Sequence, residues 1–356
     1  MKYLSEYRNL EATEGYLKLI EKTITKPWNI MEICGGQTHG LVKNGILELL
    51  PEKVRMIHGP GCPVCVTPLN LIDKAIELLD KGVIVCSFGD MIRVPGSKQS
   101  LLEAKANGGD LRILYSPLEA VKIAKNNPDK EVVFFAVGFE TTAPANALSV
   151  LHAQKEGVKN YSILVSHVLV PPAMEAILDD DLCNIDAFLG AGHVCAIMGY
   201  NKYLPLAEKY KIPIIITGFE PLDLVQGIYM AVCQLEKGIS KVENQYARVV
   251  KKEGNKAAIQ VIEKVFEIGN REWRGIGEIP KSGYRLKEIF KDFDAELKFG
   301  INHIKVPENP DCIAGEILRG IKDLRSDPCQ PCAERINIRE EKAKQEARPF
   351  IGNYYA

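Results

Sequence analysis

Cysteine is the residue through which this sequence can do chemistry. Cys62-Pro63-Val64-Cys65 is a C-x-x-C pair, a spacing that serves either a reversible disulfide or two ligands to one metal. Gly59 and Gly61, on either side of Pro60, allow a tight loop just before the pair. Thr67 then reads as a helix N-cap and Pro68 as the first helical residue. The pair would thus lie just upstream of a helix N-terminus, whose partial positive charge favours a thiolate. A zinc half-site, or two unreacted thiols, is the plainer alternative.

Cys34 is followed by Gly35 and Gly36, with Thr38 and His39 close behind. The glycines permit unusual backbone angles and an accessible sulfur, and Thr38 or His39 is placed to orient or deprotonate it, as for a nucleophile. A turn cysteine followed by a capping threonine explains the same residues equally well. Cys312, Cys329 and Cys332 gather near the C-terminus, three soft ligands that suit an iron–sulfur cluster or zinc. Either centre normally takes four ligands, and no cysteine follows Cys332. Cys86, Cys183, Cys195 and Cys233 sit in apolar surroundings and read as small buried hydrophobes.

The compartment bears on how the ten cysteines are read. Met1 to Asn9 has no apolar core of signal-peptide type, and no uncharged apolar run reaches the roughly 20 residues of a membrane span. A cytoplasmic protein with reduced thiols is therefore expected, which favours metal or redox chemistry over a disulfide framework. A net charge of −1 gives no footing for a nucleic-acid partner. With 356 residues, 46% of them hydrophobic, the chain can build two or three domains with sizeable cores.

The elements that must hold these residues alternate. Short runs rich in Val and Ile at 30–33, 54–57, 83–86, 132–137, 163–165, 187–189 and 212–216 read as strands buried on both faces of a parallel sheet. Helical patterns fall between them, at 69–79, 117–126 and 144–156. The alternation argues for open α/β sheets with helices on both faces. Residues 126–130, Asn-Asn-Pro-Asp-Lys, have the composition of a linker. Three segments are expected: a first α/β domain over 1–127, a second over 128–237, and a helical, cysteine-bearing region over 238–356 that ends in a charged tail.

Chemistry-bearing residues recur just after the strands. Ile33 leads into Cys34, Ile57 into the loop from His58 to Cys65, and Cys86 into Ser87-Phe88-Gly89-Asp90. Val137 leads into Gly138-Phe139-Glu140-Thr141-Thr142, and Leu189 into Gly190-Ala191-Gly192-His193. Taken singly, Glu140-Thr141-Thr142 is a helix start, Asp90 and Arg93 a surface ion pair, and His193 an interior histidine. In open α/β sheets, however, sites form outside the carboxyl ends of the strands, so these residues are expected to share one edge.

The segments C-G-G-Q-T-H (34–39), G-P-G-C-P-V-C (59–65), F-G-D-M-I-R-V-P-G-S (88–97) and V-G-F-E-T-T-A-P (137–144) resemble signatures of the HypD family. So do H-V-L-V-P-P-A-M (167–174), G-H-V (192–194), T-G-F-E-P-L-D (217–223), W-R-G-I-G (273–277) and G-E-I-L-R-G (315–320). The resemblance runs in one order over roughly residues 10–320. It implies two Rossmann-like α/β domains with mainly parallel sheets, plus a small C-terminal iron–sulfur segment. It implies a [NiFe]-hydrogenase maturation scaffold on which the Fe(CN)2CO group is assembled, together with a HypC-type chaperone and a HypE-type cyanide donor. Cys34 would be the iron-binding thiolate, shared with a cysteine of the chaperone. Cys62 and Cys65 would be a redox-active pair fed by a [4Fe–4S] cluster, and Thr38, His39, Asp90, Glu140 and Thr141 would line the same cleft. The family's C-x-C before G-E-x-L-R-G is absent, since Cys312 is followed by Ile313 and Ala314. This leaves Cys312, Cys329 and Cys332 as an incomplete cluster ligand set. Such a protein is an assembly scaffold with redox activity rather than a conventional small-molecule enzyme. A cluster-dependent thiol–disulfide reductase acting on a protein, or a zinc-stabilised binding module, is the alternative.

Overall fold

The computed structural model describes residues 6–301, 313–319 and 321–322. Eleven strands are present among them. Six precede residue 170: β1 (Trp28–Glu32), β2 (Val54–His58), β3 (Ile84–Ser87), β4 (Leu111–Ile113), β5 (Val132–Gly138) and β6 (Tyr161–His167). Five follow: β7 (Ala187–Ala191), β8 (Ile214–Thr217), β9 (Val242–Asn244), β10 (Phe266–Trp273) and β11 (Gly277–Leu286). The fold is α/β, with two parallel sheets and one antiparallel hairpin. All seven strands expected from sequence are present, and the helices Leu69–Asp80, Pro117–Asn126 and Ala143–Lys155 match their expected positions within one residue.

The chain divides into two compact units, but not at the linker-like residues 126–130. The first unit takes the chain up to Cys62, Met174–Asn255 and the described residues after Asp311. The second takes Pro63–Ala173 and the described residues of Lys256–Pro310. The expected boundary at 127/128 falls inside the second unit, between the helix Pro117–Asn126 and β5. Asn127 and its neighbours form an ordinary tight connection there, pinned by the Asn160 amide, which donates to the carbonyls of Ala124, Asn127 and Lys130 at 2.8–2.9 Å.

In the first unit all strands are parallel, in the order β2-β1-β7-β8-β9. Ile30 of β1 lies opposite Met56 on one side and Ala187 on the other. The helices Leu10–Thr23 and Pro221–Glu236 pack against each other and supply Ile20, Leu224 and Ile228 to a core with Ile30, Leu189 and Ile215. Each of these side chains is fully buried, a contribution of about 1.5–3 kcal/mol apiece.

The second unit has the order β4-β3-β5-β6, again all parallel. Every residue of β5 and β6 is buried, as expected for parallel strands covered on both faces. The hairpin β10–β11 continues this unit beyond β6: Leu169 N–H donates to the Ser282 carbonyl at 2.7 Å, and Val168 bridges Gly283. Trp273 is wholly buried in the hairpin, and its indole N–H donates to Ser282 Oγ at 2.9 Å. Where a helix and then a charged tail were expected after Lys237, the chain therefore forms β9, the helix Lys256–Val265 and this hairpin. Among the described residues no helix is long and apolar enough to cross a membrane.

Candidate functional site

The strand order of the first unit sets a reversal at β1. The chain leaves β1 to build β2 on one side, and β7 is laid on the other. Loops that diverge at such a switch point open a crevice at the carboxyl ends of the strands. Cys34 lies in the loop after β1 and Gly192-His193 follows β7, so the two flank that point.

Cys34 is the N-cap of the helix Gly35–Lys43, with extended angles (φ −147°, ψ 122°). Its carbonyl accepts from the amides of Gln37 (2.7 Å) and Thr38 (3.2 Å), which closes the first turn. The anchor beneath it is Glu32, the last residue of β1, which is only 1% exposed. The Glu32 carboxylate accepts from Cys34 N–H (3.0 Å), from the Thr38 hydroxyl, and from His58 Nδ1 (2.8 Å) at the end of β2. Such charge-assisted bonds are stronger than neutral ones and hold the loop from three directions.

The loop after β2 closes over the same residues. Gly59 N–H donates to the Glu32 carbonyl at 2.8 Å, and Gly35 N–H to the Gly61 carbonyl at 3.0 Å. A β-carbon at Gly61 would lie 2.5–2.7 Å from the backbone of Cys34, so only glycine allows this approach. Cys62 follows directly. Burial pushes the half-buried Cys34 thiol up to about 11; Glu32 and Cys62 add to the rise, while the amides of Gly36 and Gln37 oppose it. Cys34 is therefore a thiol near neutrality, and a metal ion binding it must displace the proton.

The opposite wall is built by β7 and β8. Gln37 is wholly buried and donates its amide to the Gly190 carbonyl (3.1 Å) and the Thr217 hydroxyl (2.6 Å). Phe219 lies against Gly40, where a β-carbon would come within 2.7 Å of its carbonyl oxygen. His193 is exposed and stacks on Phe219, with ring centroids 3.7 Å apart; burial of one face lowers its pKa. Behind Phe219, the fully buried Asp223 forms a two-pronged pair with Arg248 at 2.5 and 2.7 Å.

The second unit has its own switch point, between β3 and β5. Asp90 follows β3 and precedes the short turn Met91–Arg93, while Glu140 and Thr141 follow β5. Glu140 is 2% exposed and accepts from Val170 N–H at 3.1 Å. Thr142 and Asn146 meet the buried His167 Nε2 at 3.1 and 3.0 Å, and burial pushes this imidazole down to about 3. Cys65 also belongs to this unit. Past it, Pro68 rather than Thr67 occupies the N-cap of Leu69–Asp80, and the Thr67 hydroxyl donates to the Pro63 carbonyl (2.7 Å) instead of capping the helix.

The residues singled out by sequence thus fall into two groups. Cys34, Thr38 and Cys62 come together at the first switch point, with His39 exposed in the second turn of the helix Gly35–Lys43. Asp90, Glu140 and Thr141 mark the second. Cys86 and Cys195 are buried as expected, whereas Cys183 and Cys233 are half-buried. Cys312, Cys329 and Cys332 lie outside the described residues. Among the described residues no three His, Cys, Asp or Glu side chains converge as a metal-ligand set. Glu32 and Gln37 are the contributors that residue type alone did not flag, and His58 was noted only as the start of the loop after β2. The available signal was an acidic residue inside the apolar run Ile30-Met31-Glu32-Ile33, which a buried strand accepts only with partners.

Fold and site together define a doubly wound α/β protein with a cysteine centre at a topological switch point. The family model "HypD: Hydrogenase formation hypA family" matches residues 11–334. The chain is 46% identical, over 90% of its length and 88% of the relative's, to hydrogenase maturation factor HypD2 of Bradyrhizobium diazoefficiens. It is 45% identical to hydrogenase maturation factor HypD of Azotobacter vinelandii, over 93% of this chain and 91% of that one. Against the Escherichia coli K12 protein of that name the identity is 44%, over 90% and 88%. The chain belongs to the HypD family of hydrogenase maturation factors.

Proposed function

We propose that this chain is the cytoplasmic scaffold on which the Fe(CN)2CO group of [NiFe]-hydrogenases is assembled, working with a HypC-type chaperone and a HypE-type cyanide donor. Iron is the cargo here, and Cys34 is its thiolate anchor on this chain. The supporting observation is the placement of Cys34 at the switch point, held by Glu32 and by the close approach of Gly61. In this reading the remaining iron ligands are cyanide, carbon monoxide and a cysteine of the chaperone. Thr38 and His39 serve the Cys34 centre, and Asp90, Glu140 and Thr141 are functional residues of the second switch point.

Cys62 and Cys65 form the redox pair of this reading: their disulfide takes up two electrons and two protons to give two thiols. A [4Fe–4S] cluster held in part by Cys312, Cys329 and Cys332 would supply electron-transfer chemistry when bound, and three thiolates are soft donors suited to it. The deciding experiment uses the complex with the chaperone. Replacing Cys34 by Ala should abolish the infrared bands of iron-bound cyanide and carbon monoxide while the fold is retained. Bands of wild-type intensity in Cys34→Ala would overturn the assignment.

A further inference from the structure

The wall that faces Cys34 across Gly36 is held from behind. A β-carbon at Gly36 would lie 3.0–3.1 Å from the Phe219 ring and 3.7 Å from Cys34 Sγ, so ring and sulfur flank one point. Phe219 carries His193 stacked on its face, and its own support is a run of flat groups. Tyr246 meets Phe219 edge to face, with centroids 6.1 Å apart. The Arg248 guanidinium lies 4.5 Å from the Tyr246 ring centroid and 3.5 Å from that of Tyr7, in the short N-terminal turn Glu6–Arg8. A planar cation between two rings is attracted by the π-face of each.

Arg248 also fixes the backbone that bears Phe219. Its two-pronged contact holds the Asp223 carboxylate, whose oxygens have further partners. Oδ1 accepts from Gln245 Nε2 at 2.8 Å, and Oδ2 accepts from Glu220 N–H at 3.3 Å, at the start of the helix Pro221–Glu236. Gln245 Oε1 in turn accepts from Gly218 N–H at 3.2 Å. A β-carbon at Gly218 would stand 2.2 Å from Asp223 Oδ2 and 2.8 Å from the Tyr246 ring. The residues on either side of Phe219 are thus both tied to the carboxylate that Arg248 grips.

We propose that Arg248 is a positioning residue for the Cys34 centre: through Asp223 and Tyr246 it sets the Phe219–His193 stack as the wall beside the sulfur. This deepens the iron-scaffold reading and rests on it only for the cargo that the wall would face. An arginine that merely neutralised the buried Asp223 could be replaced by lysine, which keeps the charge. One that positions the stack could not, because lysine has neither the planar fork nor the flat face.

The test compares wild type with Arg248→Lys and with Tyr246→Leu, which leaves the Asp223 pair in place; each is checked for cooperative unfolding. Phe219→Leu supplies the reference for a His193 without a stacked ring. Proton NMR of His193, assigned with His193→Gln, is read at one pH above the ordinary histidine range. Wild type should show the upfield ring-current shift of a stacked imidazole. In both variants the signal should move most of the way to its position in Phe219→Leu. Alkylation of Cys34 by iodoacetamide, read by peptide mass spectrometry, should accelerate several-fold in both, relative to half-buried Cys183 in the same unit. An unchanged His193 signal with unchanged Cys34 alkylation in Arg248→Lys would reduce Arg248 to a counter-charge and overturn the proposal. Should Arg248→Lys fail to fold, wild-type values in Tyr246→Leu would overturn it instead. None of these readouts involves iron. Cyanide and carbon monoxide bands retained in Cys34→Ala would therefore sink the iron reading and leave the His193 result to decide the role of Arg248.

Discussion

Gly61 approaches Cys34 so closely that a β-carbon on it would stand 2.5 Å from both the amide nitrogen and the Cα of the cysteine. Neither chain can yield cheaply, because Gly61 also accepts from Gly35 N–H and Gly59 N–H donates to Glu32. Gly61→Ala should therefore destabilise the fold by about 1–3 kcal/mol, the range of overpacked sites. Urea unfolding gives the cost. Accelerated alkylation of Cys34 in the same variant would report that the two loops have been pushed apart, and wild-type values of both would contradict the contact.

The Cys34 thiol carries a pH signature. Burial raises it from 9.0 to about 11, so on raising the pH the unfolded chain loses this proton before the folded one does. The contribution to stability is thus complete below about 9 and disappears as the pH climbs from 9 to 11. Cys34→Ser should flatten that alkaline decline in urea midpoints measured across the window. The wild-type rate of Cys34 alkylation should still be rising at a pH where an exposed thiol has levelled off.

His167 gives the opposite slope. Burial lowers it from 6.5 to about 3, so the unfolded chain takes up a proton that the folded chain refuses. Its stabilising effect is present above 6.5 and is lost as the pH falls toward 3. His167→Gln retains polar atoms for Thr142 and Asn146 but has no titrating ring. The variant should start less stable near neutrality and lose less on acidification, as read by unfolding midpoints through this range.

The strands that were legible in the sequence are those whose local composition already states their environment. β5 is seven consecutive buried residues with no charge, and could be read at a glance. β4 (Leu-Arg-Ile) and β9 (Val-Glu-Asn) are three-residue edge strands, each with a charged residue and partial exposure, too short to show a period. The hairpin hid for another reason: its alternation is interrupted by a register shift between Gly269 and Arg271, and its exposed positions mix Ile268 and Asn270 with the charged Glu278, Lys281 and Arg285. The division into units was illegible because it rests on the pairing of β1 with β7, which no local pattern announces. Within the site, Cys34 and Cys62 were found by residue type. Glu32 was not, nor was the partnership of His58 with it, since that partnership comes from the β1–β2 register, which sets Glu32 opposite His58.

That β1–β7 pairing also sets a timetable for synthesis. Strand β1 ends at Glu32, and its neighbour β7 begins only at Ala187. At roughly 5–20 residues per second, β1 waits on the order of ten to thirty seconds on the ribosome before that edge can be covered. Meanwhile the whole β4-β3-β5-β6 sheet emerges and can close upon itself. The sheet of the first unit is thus begun before the β4-β3-β5-β6 sheet and closed after it, with the apolar edge of β1, Ile30 and Met31 included, open until β7 emerges. A nascent chain halted near residue 173 would hold a completed sheet tethered to a sticky half-sheet, the form most exposed to mispairing with its neighbours on the same messenger.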